Sequence, residues 1–143
     1  MSSSLFLNAL QDLLASETGK PVAIGRPMDD RQGLWLWPWK LGVRAASHNR
    51  PPERQEGLPG RQPESLPVEL HLLVVVVGAP EVDQLHALEA AGRAIQRHPV
   101  LEASGKTARV VIENIPTGEL TGVFTAAGLS LRLCLACKLE SAA

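Results

Sequence analysis

The stretch from Leu66 to Val77 constrains the fold of this chain more strongly than any other part of its sequence. Apolar residues alternate with other residues from Leu66 to Leu72, and an uninterrupted apolar run then continues to Val77. Alternation is typical of a strand with one solvated face, whereas a continuous apolar run is typical of a strand covered on both faces. The sequence therefore predicts a central strand that becomes buried on both of its faces.

The start of the chain predicts an amphipathic helix followed by a short strand. Apolar residues recur there at helical spacing, at Phe6, Leu10, Leu13 and Leu14. Gly19 and Pro21 end this helix, and residues 22–24 are predicted to form a short strand.

A second extended segment is predicted from Gly33 to Val43. Its alternation places three tryptophans on one face and two leucines on the other: Trp35, Trp37 and Trp39 against Leu34 and Leu36. Pro38 has no backbone N–H to donate, so this strand is predicted to lie at a sheet edge or to break at the proline.

Two helices and two further strands are predicted after the central strand. The first helix has Pro80 in its first turn and ends before Pro99, and its predicted buried stripe comprises Val82, Leu85, Leu88, Gly92 and Ile95. A strand is predicted around 109–115, preceded by a turn at Gly105. The second helix spans 117–127, with Thr117 as its N-cap and a buried stripe at Leu120, Val123, Phe124 and Ala127.

The last predicted element is a strand from Leu129 to Leu139 that alternates without a break. One face carries the residues Leu129, Leu131, Leu133, Leu135, Cys137 and Leu139. The other face is half polar, as in an antiparallel strand with one face on a core. Together the elements predict an α/β (α+β) fold in a single domain over 1–143, with a proline-rich loop at 44–67.

Charge and hydropathy argue against two classes of partner. The net charge is −1, and the arginines of the 44–67 loop are interspersed with glutamates, so no basic patch for nucleic acid is expected. The longest apolar run, Leu72 to Val77, is too short to cross a bilayer, so no membrane partner is expected. Two cysteines without a secretory signal predict a reducing, cytoplasmic environment.

No catalytic or cofactor site is predicted. Cys134 and Cys137 have the spacing of a zinc or redox pair, but inside an alternating strand positions three apart face opposite ways, and no second ligand pair accompanies them. Gly105-Lys106-Thr107 lacks the earlier glycine and the strand-to-helix order of a phosphate-binding loop. His71, next to Glu69 on the less apolar face of the central strand, is interpreted as a hydrogen-bonded structural residue. The sequence therefore carries no recognisable catalytic signature.

The tryptophans leave two interpretations open. They either pack on the sheet as part of the core or anchor a subunit interface, where tryptophan is enriched. The predicted interface residues are Trp35, Trp37, Trp39, Leu129, Leu131, Leu133 and Leu135.

The order of several segments resembles one known family. The segments are 66–73, the helix end at 98–101, the run from Ile115 to Phe124, and Leu129-Ser130-Leu131-Arg132-Leu133. With these, the chain resembles the cap, or tail-terminator, proteins of extracellular contractile injection systems, which are phage-tail-like machines of the antifeeding-prophage type.

The resemblance implies a fold and a role. The implied fold is a mixed, largely antiparallel sheet flanked by three helices. The implied role is structural: a homo-hexameric ring that closes the distal end of an inner tube and its contractile sheath, with the tube and sheath proteins as partners, in a particle assembled in the cytoplasm. No cofactor is implied. The alternatives are a small cytosolic oligomeric enzyme or ligand-binding protein, and a tube or sheath adaptor elsewhere in the particle.

The resemblance also suggests how such a cap grips a sheath. Sheath subunits in these machines exchange extended arms, and a free sheet edge accepts an arm by strand addition. Of two candidate edges, 35–40 and the closing strand 129–139, the closing strand is the preferred acceptor because Pro38 deters pairing. The 44–67 loop is expected to become ordered on assembly.

Overall fold

The computed structural model describes residues 3–43 and 68–141, and these residues form three helices and one six-stranded sheet. In chain order the elements are α1 (Ser3–Thr18), β1 (Val22–Ile24), β2 (Gly33–Val43), β3 (Val68–Val77), α2 (Glu81–Arg97), β4 (Val100–Ala103), β5 (Lys106–Glu113), α3 (Thr117–Ala126) and β6 (Cys134–Ser141). The 44–67 loop predicted from the sequence lies outside the described residues.

The sheet has the strand order β1-β2-β3-β6-β5-β4. The β1–β2 pair is parallel and the other four pairs are antiparallel, so the prediction of a mixed, largely antiparallel sheet flanked by helices is confirmed. No helix within the described ranges has the length and apolar content needed to cross a membrane.

Strand β3 lies at the centre of the sheet and is buried on both faces, as its sequence predicts. Leu72, Val74 and Val76 face a core that includes α1 and α2, which we call the α1/α2 core. Leu73 and Val75 face a smaller cluster under α3, which we call the α3 core. Alternate residues therefore serve different cores, and this explains why the run from 72 to 77 is apolar without a break.

Helix α1 follows the predicted stripe, whereas α2 departs from it. Phe6, Leu10 and Leu14 of α1 are buried. In α2 the buried residues are Ala87, Leu88, Ala91, Ala94 and Ile95. The prediction that Val82 and Leu85 are buried is wrong, since they are 65% and 45% exposed. Alanines line the buried face of α2, so the helix packs through small side chains and leaves its larger N-terminal ones outside.

Strand β4 is absent from the sequence prediction. It forms a hairpin with β5, and the connecting residues Ser104 and Gly105 both have positive φ, at 51° and 75°. Such pairs of positive φ values are typical of the tight turns that join antiparallel strands. The predicted turn at Gly105 is confirmed, but the strand that follows it begins at Lys106 rather than near Arg109.

Helix α3 begins without the predicted cap. Its N-cap residue is Pro116, which has no side-chain capping hydrogen bond, so the assignment of Thr117 as the cap is wrong. The Thr117 carbonyl instead accepts a hydrogen bond from the Thr121 hydroxyl at 2.8 Å. The stripe prediction is confirmed: Phe124 is buried, and Leu120, Val123 and Ala127 pack in the α3 core.

The closing strand begins at Cys134, so its predicted start at Leu129 is wrong. The N–H of Leu129 donates to the Phe124 carbonyl at 2.9 Å and that of Gly128 donates to Thr125 at 2.9 Å, with Gly128 at φ 74°. These two hydrogen bonds form a Schellman motif. Leu129 is therefore part of the C-terminal cap of α3 and not part of the closing strand. Residues 130–133 then lie beyond the last β3–β6 partner pair, Val75–Cys134.

The closing strand is also not an edge strand. Strand β6 lies between β3 and β5 and pairs with both of them from Ala136 to Glu140. The prediction that it offers a free edge to a sheath arm is therefore wrong. Position within a sheet is decided by which strands pair, and alternation within one strand carries no information about it.

Candidate docking groove

An irregularity in β2 shapes the surface that we regard as the candidate site. Pro38 lies opposite Leu72 of β3 and Lys40 opposite His71, so Trp39 is an extra residue between two consecutive partners. Such a β-bulge bends a strand and redirects a side chain. Strand β2 continues to Val43, so it does not break at Pro38, but the predicted alternative of a sheet edge holds there because β1 pairs only as far as Leu36.

The tryptophans lie on the side of the sheet that carries α3. Trp37 meets Phe124 edge to face, with ring centroids 5.3 Å apart, and Trp39 lies 5.8 Å from the ring of His71. Leu34 and Leu36 face the opposite, α1/α2 core. The predicted division of tryptophans and leucines between the two faces is therefore confirmed.

The outer edge of β2 is only partly paired. Strand β1 covers Leu34, Trp35 and Leu36 and no further residue of β2. Within residues 3–43 and 68–141, the outer edge from Trp37 to Val43 has no strand partner. This is the open edge nearest to α3.

A groove of about 580 Å³ lies between the bulged part of β2 and α3. Its lining residues are Trp37, Pro38, Trp39, Glu119, Gly122, Val123, Ala126 and Ala127. The floor is aromatic, and α3 presents small side chains and one carboxylate. At one end, the guanidinium of Arg26 donates to the Ala127 carbonyl at 3.1 Å and so ties the loop after β1 to the end of α3.

One polar atom beside the groove lacks a partner. The indole Nε1 of Trp39 is buried and has no hydrogen-bond partner among the described residues. By contrast, Trp35 Nε1 donates to the Arg31 carbonyl at 3.0 Å. Buried polar groups in native proteins are almost always paired, so this orphan indole N–H is an exception that an acceptor from outside the described residues would remove.

A cluster of charged side chains lies on the same face of the sheet, and its members pair with one another. His71 Nδ1 lies 2.8 Å from Glu113 Oε2, and its Nε2 lies 3.6 Å from Glu69. Lys138 Nζ lies 2.9 Å from Glu140 and 3.7 Å from Glu69. The hydrogen bond to Glu140 raises the pKa of Lys138. The prediction that His71 is hydrogen-bonded is confirmed, and its structural role stays a prediction.

The two cysteines occupy opposite faces of β6, as alternation predicts. Cys134 packs against the α3 core and Cys137 lies in the α1/α2 core. Burial raises the pKa of Cys134, and burial together with the charge of Glu113 raises the pKa of Cys137 to about 12. Protonated thiols are poor nucleophiles and poor metal ligands. Within the described ranges, no three His, Cys, Asp or Glu side chains are grouped so that they could hold a metal ion.

The residues predicted to form an interface occupy different environments. Trp35 is 5% exposed, in a small cluster with Ala23 and Val77. Trp37 and Trp39 line the groove. Leu129 packs in the α3 core and Leu135 against the α1/α2 core. Leu131 and Leu133 are 45% and 43% exposed. An interface role therefore remains open chiefly for the groove tryptophans and the two exposed leucines.

Sequence reasoning missed the contribution of α3 to the groove. Gly118, Gly122 and Ala126 recur at a spacing of four, which places small side chains along one side of a helix. Gly122 and Ala126 line the groove, and Glu119 provides its carboxylate. The spacing of small residues was the available signal.

Comparison with known families identifies the chain. The sequence profile of the Pvc16 N-terminal domain matches residues 6–142, which is nearly the whole chain. The chain belongs to the Pvc16 N-terminal domain family. A comparison with curated proteins found no significant match for this Pvc16 N-terminal domain.

Two solved structures have the same fold. The sheath/tube terminator of PVC, an extracellular contractile injection system, in its extended state, matches with a TM-score of 0.66 at 12% identity, over 99% of this chain and 56% of that chain. The tube-terminating cap of the anti-feeding prophage matches with a TM-score of 0.65 at 14% identity, over 95% of this chain and 52% of that one. This Pvc16 N-terminal domain thus spans about half the length of each.

Proposed function

We propose that this chain is part of a cap that terminates the distal end of the inner tube and contractile sheath of a phage-tail-like injection particle. The observation that supports the proposal is the fold match to the PVC sheath/tube terminator over 99% of the chain. Membership of the Pvc16 N-terminal domain family over residues 6–142 supports it independently of the fold comparison.

The proposed role is structural and not enzymatic. The side chains best suited to acid–base or nucleophilic chemistry are engaged in the fold: His71 contacts Glu113 and Glu69, and the pKa of both cysteines is raised. The candidate groove is lined by aromatic and small side chains with a single carboxylate. Such a surface suits docking between polypeptides better than chemistry on a small molecule.

The proposed partners are the inner tube protein, the sheath protein and further copies of this chain, arranged as a six-membered ring in a particle that assembles in the cytoplasm. A tube end with rotational symmetry is closed most simply by a ring of matching symmetry. Such a ring uses heterologous contacts, in which two different surfaces of each subunit meet.

The proposal is tested by deleting the gene for this chain in cells that produce the particle and imaging the particles by electron microscopy. We expect sheaths and tubes of irregular length with open distal ends, and normal length on re-expression. A reconstruction of normal particles should show this fold in six copies at the distal end. Unchanged particles after deletion would contradict the proposal, and density for this fold at another position would instead support an adaptor role.

A further inference from the structure

We propose that residues 130–133 of one copy of this chain dock into the groove between β2 and α3 of a neighbouring copy. The inference rests on the proposed ring and assigns the two surfaces that meet within it. Three independent features of the structure match these surfaces to each other: apolar shape, hydrogen-bonding capacity and charge.

The first feature is an exposed apolar segment that has no strand partner. Leu131 and Leu133 are 45% and 43% exposed, and they alternate with Ser130 and Arg132 in a stretch between α3 and β6 that belongs to no helix or strand. In an extended conformation this alternation puts both leucines on one side of the segment. The groove beside β2 has an aromatic floor and a wall of small residues, and its volume of about 580 Å³ suits a pair of leucine side chains.

The second feature is a match of hydrogen-bonding groups. Trp39 Nε1 is a buried donor without an acceptor among the described residues. Conversely, across residues 3–43 and 68–141 no backbone hydrogen bond is made to the carbonyl oxygens of residues 130–132. The proposed contact pairs such a carbonyl with the indole, and a buried N–H that gains an acceptor no longer carries a desolvation penalty.

The third feature is a match of charge. Glu119 lines the groove, and Arg132 stands between the two exposed leucines. Neither side chain has an ion partner in the part of the chain that the structure describes. Seating the leucines in the groove leaves the long Arg132 side chain free to reach the rim, where a charge-assisted hydrogen bond to Glu119 fixes the orientation of the two copies.

The two surfaces are formed by different residues, although the segment begins only three residues after Ala127, which lines the groove. The segment leads into β6, which β3 separates from β2 in the sheet. In the proposed ring each copy gives its segment to one neighbour and receives a segment from the other, so the contact is heterologous and its repetition produces a closed ring or an open filament.

Cysteine cross-linking tests the contact directly. The variants are Leu131→Cys and Gly122→Cys, both in a Cys134→Ala background. A Cβ added at Gly122 has no heavy atom within 4 Å, so that substitution is tolerated sterically. Cross-linking is carried out on the full chain, both concentrated in solution and in cells that produce the whole particle, and analysed on non-reducing gels.

A mixture of the two single variants should give a cross-linked dimer, and the double variant should give a ladder that ends at the ring size. Each single variant alone should give no cross-link, because a heterologous contact never brings a residue against its own copy. Lys106→Cys, on the β4–β5 turn, is the control partner for Leu131→Cys and should stay unlinked. Absence of the ladder in both settings, or self-linking of Leu131→Cys alone, overturns the inference.

Charge reversal provides the second measurement. Arg132→Glu and Glu119→Arg should each reduce the cross-linking yield or the association constant by about tenfold or more. The two reversals combined should restore it, whereas Lys106→Glu, a comparable charge change elsewhere, should have no effect. Failure of the combined variant to recover, with its unfolding curve unchanged, also overturns the pairing.

These results are distinguishable from those that test the proposed function. If gene deletion abolishes particle termination but no ladder forms between positions 122 and 131, the proposed cap function is supported and the proposed contact is contradicted. If the ladder forms but particles remain normal after gene deletion, the proposed contact is supported and the proposed cap function is contradicted.

Discussion

Trp37 of β2 and Phe124 of α3 meet edge to face, with their ring centroids 5.3 Å apart and their planes at 84°. This contact joins the sheet to the only helix in the described residues that packs on this face of it. Aromatic pairs in this geometry add about 0.5–1.5 kcal/mol to the free energy from area burial. This aromatic pair therefore helps to fix the two walls of the groove relative to each other.

Phe124→Ala is predicted to destabilise the domain by about 3–5 kcal/mol, because Phe124 is fully buried and the alanine leaves a cavity under α3. Phe124→Leu should cost less, since most of the volume remains. Urea denaturation followed by circular dichroism measures both. Thr125→Ala, at the adjacent exposed position, is the control and should change stability by less than about 0.5 kcal/mol. Equal effects at the two positions would contradict the packing described for α3.

Trp39→Phe and Trp35→Phe are predicted to have different effects on the isolated chain. Trp39 Nε1 has no partner, so removing it deletes an unsatisfied buried donor and should leave stability unchanged or slightly raised. Trp35 Nε1 donates to Arg31, so the same change there should cost about 1 kcal/mol. Thermal and urea unfolding of the two variants, compared side by side, provide the measurement. A clear loss of stability in Trp39→Phe would show that its indole N–H has an acceptor within the chain.

Alkaline pH is predicted to destabilise the protein through Cys137. Burial, together with the charge of Glu113, raises the pKa of this thiol from 9.0 to about 12. The folded state therefore holds its proton more tightly than the unfolded state, so the contribution to stability is complete below pH 9. It is lost as the pH rises toward 12, with a slope of at most about 1.4 kcal/mol per pH unit.

Cys137→Ala should lower stability at pH 7, because it leaves a small cavity, and should make the decline above pH 9 shallower than in the wild type. Lys138, whose pKa is also raised, contributes to the decline in both proteins, so the difference between them isolates the thiol. Unfolding free energies at several pH values between 7 and 10.5 provide the test. If the unfolding free energies of the two proteins decline in parallel above pH 9, the Cys137 thiol is not the source of the decline.

Replacing both cysteines with alanine is predicted to leave cap assembly intact, and metal analysis of the purified wild type should find no stoichiometric zinc. The two sulfurs point to opposite cores of the domain, so they cannot ligate one ion together. Elemental analysis and particle length measure the two outcomes. Unterminated particles from a double variant with a normal unfolding curve would contradict the interpretation.

Local sequence patterns predicted correctly those elements in which residues at a regular spacing share the same surroundings. The apolar run in β3 revealed burial on both faces because each face packs against its own core. The four-residue strand β4 was missed because so short a segment after Pro99 shows no period. At α2, two large apolar residues suggested a stripe that the smaller alanines in fact provide. In each case the success of the prediction depended on which residues of other elements pack against the segment.

The candidate site was only half predictable for a related reason. The alternation of Trp35, Trp37 and Trp39 identified the correct face, and Pro38 indicated an edge strand. The open edge follows from where β1 stops pairing, and the position of β6 follows from β5 and β3, which are long-range relationships. The Schellman motif at Gly128 was readable from the sequence, but the alternation that continues from Leu129 was the stronger pattern.

The bulge in β2 has a consequence for the protein before it assembles. A flat, open strand edge is a template for indiscriminate pairing and aggregation. On the open part of β2, Pro38 supplies no N–H, Trp39 interrupts the register, and Lys40 must be stripped of water by any strand that approaches. Newly made chains are thereby protected from joining edge to edge into fibres.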